Sequence, residues 1–569
     1  MLAQLLISTA TYLLLVVPGI AAVYALDRRS NLTRVLALGN VVGLGAAILL
    51  GYYVLLAHLP LVCAPVIEYA GAAALVLWSR RVKEVPAREG STGGHYLWII
   101  LLLVLISRAI PTFFNELPLG LTDPPFHTLI AQKILLTGRI PVDWQPFEAV
   151  RLHYPVGIHI LIAEIAKFTH IPVHIVFKML FPVLGVGGAL SLFSVARVIS
   201  RRTDVAVYSA LAYSFLAVWG SIDYYRWGGM PNLVGMLFLL GLADLLLGGG
   251  PGAFPAFGFL LASLALTHHH SVLCAAILFG GYAILRLASR REWGDVPRRA
   301  FFELVVAGAL AAPFLIPYVA GAMGEVGKTS VFKFYEPLLP IWQCLRYLGW
   351  PFSALGVAGA VLAGRRMKDA RGVFLLFWIA SFFSVFVIFE YVYRFAVYLA
   401  NGGFYAALTP SRFLTDLAYP LAIAAGIVLA RLACRLRPVP SFAVILVAAL
   451  AWSVAPIRGQ AKRVDVDAAA FRWLGANAEA NALVVTNVPW ASYLTWRETT
   501  YTPLPASEAR NNDYVVYKRD VLTQDWGKAF GFQRETGRPL YFALPPGLQV
   551  PPGLMKVYGD KETTIYKLS

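Results

Sequence analysis

Charge is what this chain has least of. Only 14% of its 569 residues are Asp, Glu, Lys or Arg, against 58% hydrophobic ones. A soluble globule carries about 25% charged residues, so that class is excluded. Acids are scarcer than bases: 31 Asp and Glu stand against 48 Lys and Arg, for a net charge of +17. Cysteine is almost missing. The four present (Cys63, Cys274, Cys344, Cys434) are scattered and form no CxxC pair, so neither a disulfide framework nor a paired-thiolate metal site is encoded. Internal repeats, heptad arrays and low-complexity tracts are also lacking, which removes solenoids and coiled coils.

What the chain has instead is apolar runs. Spans of about 17–25 such residues are membrane helices, because only a helix satisfies its own backbone groups in hydrocarbon. About fourteen are legible, near 1–26, 35–57, 60–78, 96–113, 174–197, 205–220, 232–248, 254–268, 271–288, 300–320, 339–363, 373–391, 413–433 and 440–456. Several are short or interrupted by Gly and Pro. Basic clusters test the count. Those around Arg28/Arg29/Arg34, Arg80/Arg81/Lys83, Arg197/Arg201/Arg202, Arg290/Arg291/Arg298/Arg299, Arg365/Arg366/Lys368/Arg371 and Arg431/Arg435/Arg437 all fall on one side. The positive-inside rule makes that side cytoplasmic. Both termini are then expected outside, in an integral protein of the cytoplasmic membrane. The net charge reflects this bias and calls for no nucleic acid. No Lys or Arg precedes the first span and DRR follows it, so it is expected to stay as a helix rather than to be cleaved as a signal peptide.

Two parts are expected: a membrane-embedded one over 1–456 and an extracytoplasmic α/β domain over 457–569. In the second, a helical VDVDAAAFRWLGANAE precedes the strand-like runs ALVVTNV, DYVVYKRDV, PLYFAL and TTIYKL. One segment, VGIHILIAEIAKF (156–168), reads as a helix in the outer interface. A full crossing there would invert every later basic cluster.

The outer loop at about 114–173 concentrates chemistry. In LTDPPFHTLIAQKILLTG, Asp123 precedes two prolines suited to a first helical turn, and Gly138 suits the far end. Phe126, Leu129, Ile130 and Ile134 make one apolar face. Asp123 is either a simple cap or a general base or metal ligand at the membrane surface. His127 lies one turn on. HYPVGIH adds His153, Tyr154 and His159; six-residue spacing is not that of a metal pair on one helix. The histidines either reach the site separately, past the break at Pro155, or anchor the interface. A second outer loop, SIDYYRWGGMPN, carries Asp223 and Arg226, which either pair with each other or serve an acceptor and a phosphate. Of His268, His269 and His270 in THHHS at most one, taken here as His269, can face a common site. Lys328, Lys333, Tyr335, Glu336, Arg394 and Arg412 are further outer polar residues. An arginine there is a clamp for a lipid phosphate, and Arg412 is the better placed.

This order of parts resembles the GT-C superfamily of polytopic glycosyltransferases, which includes protein mannosyltransferases, lipid A aminoarabinose transferases and oligosaccharyltransferases. The resemblance rests on Asp123 in the first outer loop, the interfacial helix entered through Tyr154-Pro155, the basic-ended span ARVISRR (196–202), and Asp223 outside. It covers the chain from about 96 onward. It implies an inverting transfer of a sugar from a polyprenyl-phosphate carrier to a lipid, glycan or protein acceptor on the outer face. Asp123 would be the base, Asp223 the second acid, and Arg226 and Arg412 the phosphate contacts, with His153, Tyr154, His159 and His269 toward the substrate. Metal dependence is left open; a divalent ion, Mg²⁺ or Mn²⁺, is the alternative to the arginines for the phosphate and would sit on Asp123, His127 and Asp223. The chain departs from the pattern in having no DxD in the second loop and no WWDYG-like acceptor motif, which argues against an oligosaccharyltransferase. A secondary transporter or flippase and a glycan ligase or polymerase are the competing readings. Against transport, no repeat is evident, and Glu390, Asp416 and Asp244 lie toward span ends rather than at a midplane.

Overall fold

The computed structural model describes the whole chain except residues 28–30, 81–94, 120–122, 145–150, 153, 250–252, 289–295, 326–339, 397–410, 436–437, 461–467, 487–489, 501–532, 545–549, 560–562 and 569. Each of the fourteen apolar runs contains helix. Among the described residues, nine helices are long and apolar enough to cross a membrane, or ten if one bent pair counts as a single span. The chain is thus an integral membrane protein, and the count of fourteen crossings is not reached on these criteria. Two runs fall short in length: Cys63–Ser79 and Ala253–Thr267 have 17 and 15 residues.

Two others are broken where the backbone must pass close to a neighbour. The run near 205–220 is helical over Thr203–Leu211, continues in two π-helical turns, and breaks at Trp219 (ψ 136°) and Gly220 (φ 85°). A Cβ on Gly220 would lie 2.2 Å from the Thr415 carbonyl oxygen, so only glycine allows both the left-handed turn and the approach. The run near 339–363 is the bent pair Ile341–Leu348 and Trp350–Arg366, turning by 102° at Gly349.

The first two helices, Leu2–Leu26 and Leu32–Leu56, meet through glycines. A Cβ on Gly19 would fall 2.1 Å from the Gly43 nitrogen, and one on Gly43 would fall 2.6 Å from the Val16 Cα. Such close backbones gain packing where lipid gives no hydrophobic drive between helices. Tyr12 adds a buried bond from its hydroxyl to Asn40 Oδ1 at 2.8 Å. At the core, Val173–Ser200 is buried along most of its length and packs on His95–Ala109, Met230–Gly248 and Thr203–Leu211. Where its C-terminal part meets the Met230–Gly248 helix, Arg34 Nε donates to Asp244 Oδ1 at 2.7 Å and Ser194 Oγ to Asp244 Oδ2 at 2.5 Å, so this buried acid is fully engaged.

The segment expected in the interface is the helix Gly157–Thr169, which is more enclosed than an interfacial helix would be. Gly157–Ala166 is buried throughout, against Leu32–Leu56, Asp123–Thr137 and Val173–Ser200.

The C-terminal part forms a mixed five-stranded sheet. Strands β1 (Leu483–Val485), β2 (Glu498–Thr500), β3 (Leu540–Leu544), β4 (Met555–Gly559) and β5 (Thr564–Leu568) lie in the order β2-β1-β3-β5-β4. β1 is parallel to β2 and β3, whereas β5 is antiparallel to β3 and β4. Three of the four strand-like sequence runs supply β1, β3 and β5, DYVVYKRDV lies outside the described residues, and β2 and β4 come from segments not read as strands. The helix Ala468–Asn477 buries Phe471 and Leu474 against the sheet. This part also grips the membrane-embedded part: His174 Nδ1 lies 2.9 Å from the Tyr493 hydroxyl, and Arg472 pairs with Glu116.

Candidate functional site

The site begins where Asp123 opens the helix Asp123–Thr137. Pro124 and Pro125 fill positions whose N–H groups would have no helical partner. The helix stops at Gly138, which has φ +62° and donates to the Ile134 carbonyl at 2.9 Å. Leu129, Ile130 and Ile134 are buried, and Phe126 meets Trp144 edge-on at 5.7 Å. The buried stripe leaves the Asp123 side chain about one-third exposed, at 31%.

The second acid arrives through the helix break at Gly220. Its backbone is held from several sides. Arg108 Nη2 donates to the Ser214 carbonyl (2.6 Å) and to Ser221 Oγ (3.2 Å), while Gln460 Nε2 donates to the Ile222 carbonyl (2.5 Å). Arg108 and Gln460 were not foreseen as site residues. Their signal was an isolated cation and an amide near the ends of apolar runs, which also suits simple interfacial anchoring.

After Asp223 the chain makes a single helical turn, Tyr224–Trp227, and reverses at Gly228 with φ +80°. A Cβ there would lie 2.5 Å from ring atoms of Pro124. The Asp223 loop therefore sits on the first turn of the Asp123 helix. Tyr224 is fixed from behind by its hydroxyl, which donates to Asn232 Oδ1 at 2.9 Å and lies 3.2 Å from that of Tyr419.

A third element closes the arrangement. Arg412, at the start of the helix Ser411–Cys434, lies over the Trp227 ring at 5.9 Å and reaches Asp123 Oδ2 at 4.0 Å. Arg226 is 3.7 Å from Asp223 Oδ1 and mostly exposed. Both ion pairs are longer than direct hydrogen bonds, so both guanidiniums retain donors for another anion. Burial pushes the Asp223 carboxyl up to about 6, partly offset by Arg226.

Neutral rings line one side. His127 Nδ1 and His159 Nε2 are 3.0 Å apart, and Tyr154 packs on both at 5.6 and 5.7 Å between ring centres. His269 meets Tyr154 edge-on at 5.8 Å. Burial, His159 and Arg412 hold His127 well below the usual imidazole range, and burial with Arg412 and His270 lowers His269 to about 4. These imidazoles are neutral hydrogen-bonding groups at pH 7.

The three consecutive histidines have different polar or ring partners. His269 turns to Tyr154, His268 to Ser271 Oγ at 2.9 Å, and His270 to Asp416 at 2.8 Å. Arg394 is fully buried on Glu390 at 2.8 Å. His153, Lys328, Lys333, Tyr335 and Glu336 lie outside the described residues. The expected metal set fares differently. Among the described residues, the three acid, His or Cys side chains with ligand atoms within 4.8 Å of one another are His270, Cys274 and Asp416. Asp123, His127 and Asp223 are not gathered in that way, and His127 Nδ1 faces another imidazole.

No protein-family profile and no curated protein sequence matches the chain. Solved structures do. ArnT of Cupriavidus metallidurans, bound to undecaprenyl phosphate, superposes with a TM-score of 0.58 at 11% identity, over 84% of this chain and 98% of that one. Its apo form gives 0.57 over the same shares, also at 11% identity. The apo Archaeoglobus fulgidus oligosaccharyltransferase gives 0.54 at 11% identity, over 80% of this chain and 70% of its own. This chain has the fold of the GT-C membrane glycosyltransferases.

Proposed function

We propose that this protein transfers a sugar from a polyprenyl-phosphate carrier to an acceptor on the extracytoplasmic side of the cytoplasmic membrane, with inversion at the anomeric carbon. The observation that carries the reading is the approach of Arg412 to Asp123 across Trp227, with the Asp223 loop seated on Pro124. A carboxylate beside a guanidinium with spare donors is what such a transfer needs. Asp123 takes the proton of the acceptor hydroxyl as its oxygen attacks the anomeric carbon. The bond to the carrier phosphate lengthens in an oxocarbenium-like transition state. Arg412, with Arg226 at the more exposed edge, takes up the charge growing on the departing phosphate. Asp223 orients the acceptor, and Tyr154, His127, His159 and His269 offer neutral donors and acceptors to sugar hydroxyls. His153 belongs to the same loop.

The undecaprenyl phosphate bound to ArnT supports a lipid-phosphate donor at the level of chemical class. The acceptor is a lipid, glycan or protein hydroxyl. The one-sided basic clusters support a topology with both termini outside.

Incubating the purified protein with radiolabelled polyprenyl-phosphate sugars and crude envelope acceptors tests this. Label should leave the carrier with the native protein and stay on it with Asp123→Asn. Full transfer by that variant would overturn the assignment of the base. Solute flux into proteoliposomes with the carrier left intact would favour a transporter.

A further inference from the structure

We infer that His270, Cys274 and Asp416 form a binding site for a zinc-class divalent metal, behind the proposed catalytic site and distinct from it. The inference does not rest on the transferase reading.

The geometry comes first. Cys274 Sγ lies 3.5 Å from His270 Nε2 and 3.2 Å from Asp416 Oδ2, and the nitrogen and oxygen are 2.8 Å apart. Bond lengths of about 2.0 Å to N and O and 2.3 Å to S, at tetrahedral angles, require edges of roughly 3.5, 3.5 and 3.3 Å. The triangle therefore needs only a few tenths of an ångström of opening. His270 and Cys274 are four apart on the segment beginning at His269, the spacing that puts two ligands on one helix face. Asp416 faces them from the helix Ser411–Cys434.

A second, independent observation is the state of the acid. Asp416 is fully buried, and its Oδ1 has no hydrogen-bond partner among the described residues. A buried carboxylate oxygen left without a donor is costly. A divalent ion resolves this. The sum of the ion, one thiolate, one carboxylate and one neutral imidazole is zero, the balance a low-dielectric interior favours. On binding, the Cys274 S–H bond breaks, its proton leaves to solvent, and the sulfur pair bonds the metal. His270 binds through the Nε2 lone pair, with its proton on Nδ1. Oδ1 or a water completes the coordination. Thiolate and imidazole select zinc or cobalt over magnesium or manganese.

The placement has a consequence. Arg412 is one turn before Asp416 on the same helix, and His269 adjoins His270. One ion would tie the phosphate clamp and the His269 turn to a common point.

The full-length protein, purified in detergent and stripped with chelator, is to be titrated with Co²⁺. The expected result is one ion per chain with a near-ultraviolet thiolate-to-cobalt band, absent in Cys274→Ser and retained in Asp123→Asn. Should Cys274→Ser not fold, X-ray absorption on the zinc-loaded native protein decides: one sulfur neighbour at about 2.3 Å is expected. No retained metal, a band that survives Cys274→Ser, or a shell without sulfur would each overturn the site.

Discussion

Two acid-centred clusters stand side by side at one end of the bundle and are built in opposite ways. Around Asp123 and Asp223 the ion pairs span 4.0 and 3.7 Å, and Asp123 with its partner Arg412 is about one-third exposed. Around Asp416 the contacts are 2.8 and 3.2 Å, and every member is buried. A loose pair keeps hydrogen-bonding capacity and can admit a ligand between its charges. A tight buried set has room for nothing larger than a single ion and fixes the backbones that carry it. Proximity alone would not have told them apart. Distance and exposure together separate a place where chemistry happens from a place that holds it still.

The sharpest way to break this contrast is at Asp123. Its replacement by Asn removes the proposed base without touching packing, so transfer should fall by about 10²–10⁴-fold with an unchanged melting profile. Asp123→Ala, which unlike Asn also removes a capping oxygen, tests the other reading: a stability loss of about 1 kcal/mol there, with transfer intact in Asp123→Asn, would mean that Asp123 is a cap after all. Next comes Arg412→Gln. Losing a charged donor to phosphate costs about 1.5–3 kcal/mol, or roughly ten- to a hundredfold in kcat/KM for the carrier lipid. Titrating the carrier at saturating acceptor checks it. Gly228→Ala changes no polar atom but drives a methyl into Pro124 at a left-handed position. A penalty of about 1–3 kcal/mol is expected, with reduced turnover because the two loops part. Unaltered activity and melting would show that the contact is dispensable.

The smallest effect concerns pH. Asp223 sits near 6 because burial disfavours its charge, so it is ionised above that value and protonated below it. If the carboxylate is required, transfer falls as pH drops through about 6. Arg226 opposes the burial effect, and Arg226→Gln should move the acid limb upward. Arg226 is mostly exposed, so the shift should stay below about one unit. A pH–rate profile that does not move would separate Asp223 from the rate.

Much of this was legible in the residues. Apolar runs gave every membrane helix its place, because burial in lipid demands composition rather than detail. The pairing of Pro124 and Pro125 with Gly138 bounded the outer helix correctly. That some runs are interrupted by Gly and Pro is legible, but not which glycine turns the chain. Gly220 closes its run and Gly349 shares its run with Gly356 and Gly359, and only the neighbour at Thr415 or Leu216 makes the two turning glycines obligatory. The enclosure of Gly157–Thr169 was missed for a similar reason. Its amphipathic look reflects the lone Glu164 and Lys167, while the packing that covers it comes from other helices. The His270–Cys274–Asp416 trio was hidden by distance, Cys274 and Asp416 being 142 positions apart in the chain. Cysteine spacing along the chain reports only on pairing between cysteines and is silent on a thiol that meets a distant acid.

The seat of Gly228 on Pro124 joins a residue with no side chain to one with no amide hydrogen. Such a joint is purely a matter of shape, so neither salt nor pH can loosen it. The floor between the two acids should then hold its form while the charges above it titrate. Variation in what the protein accepts would have to be written into the walls.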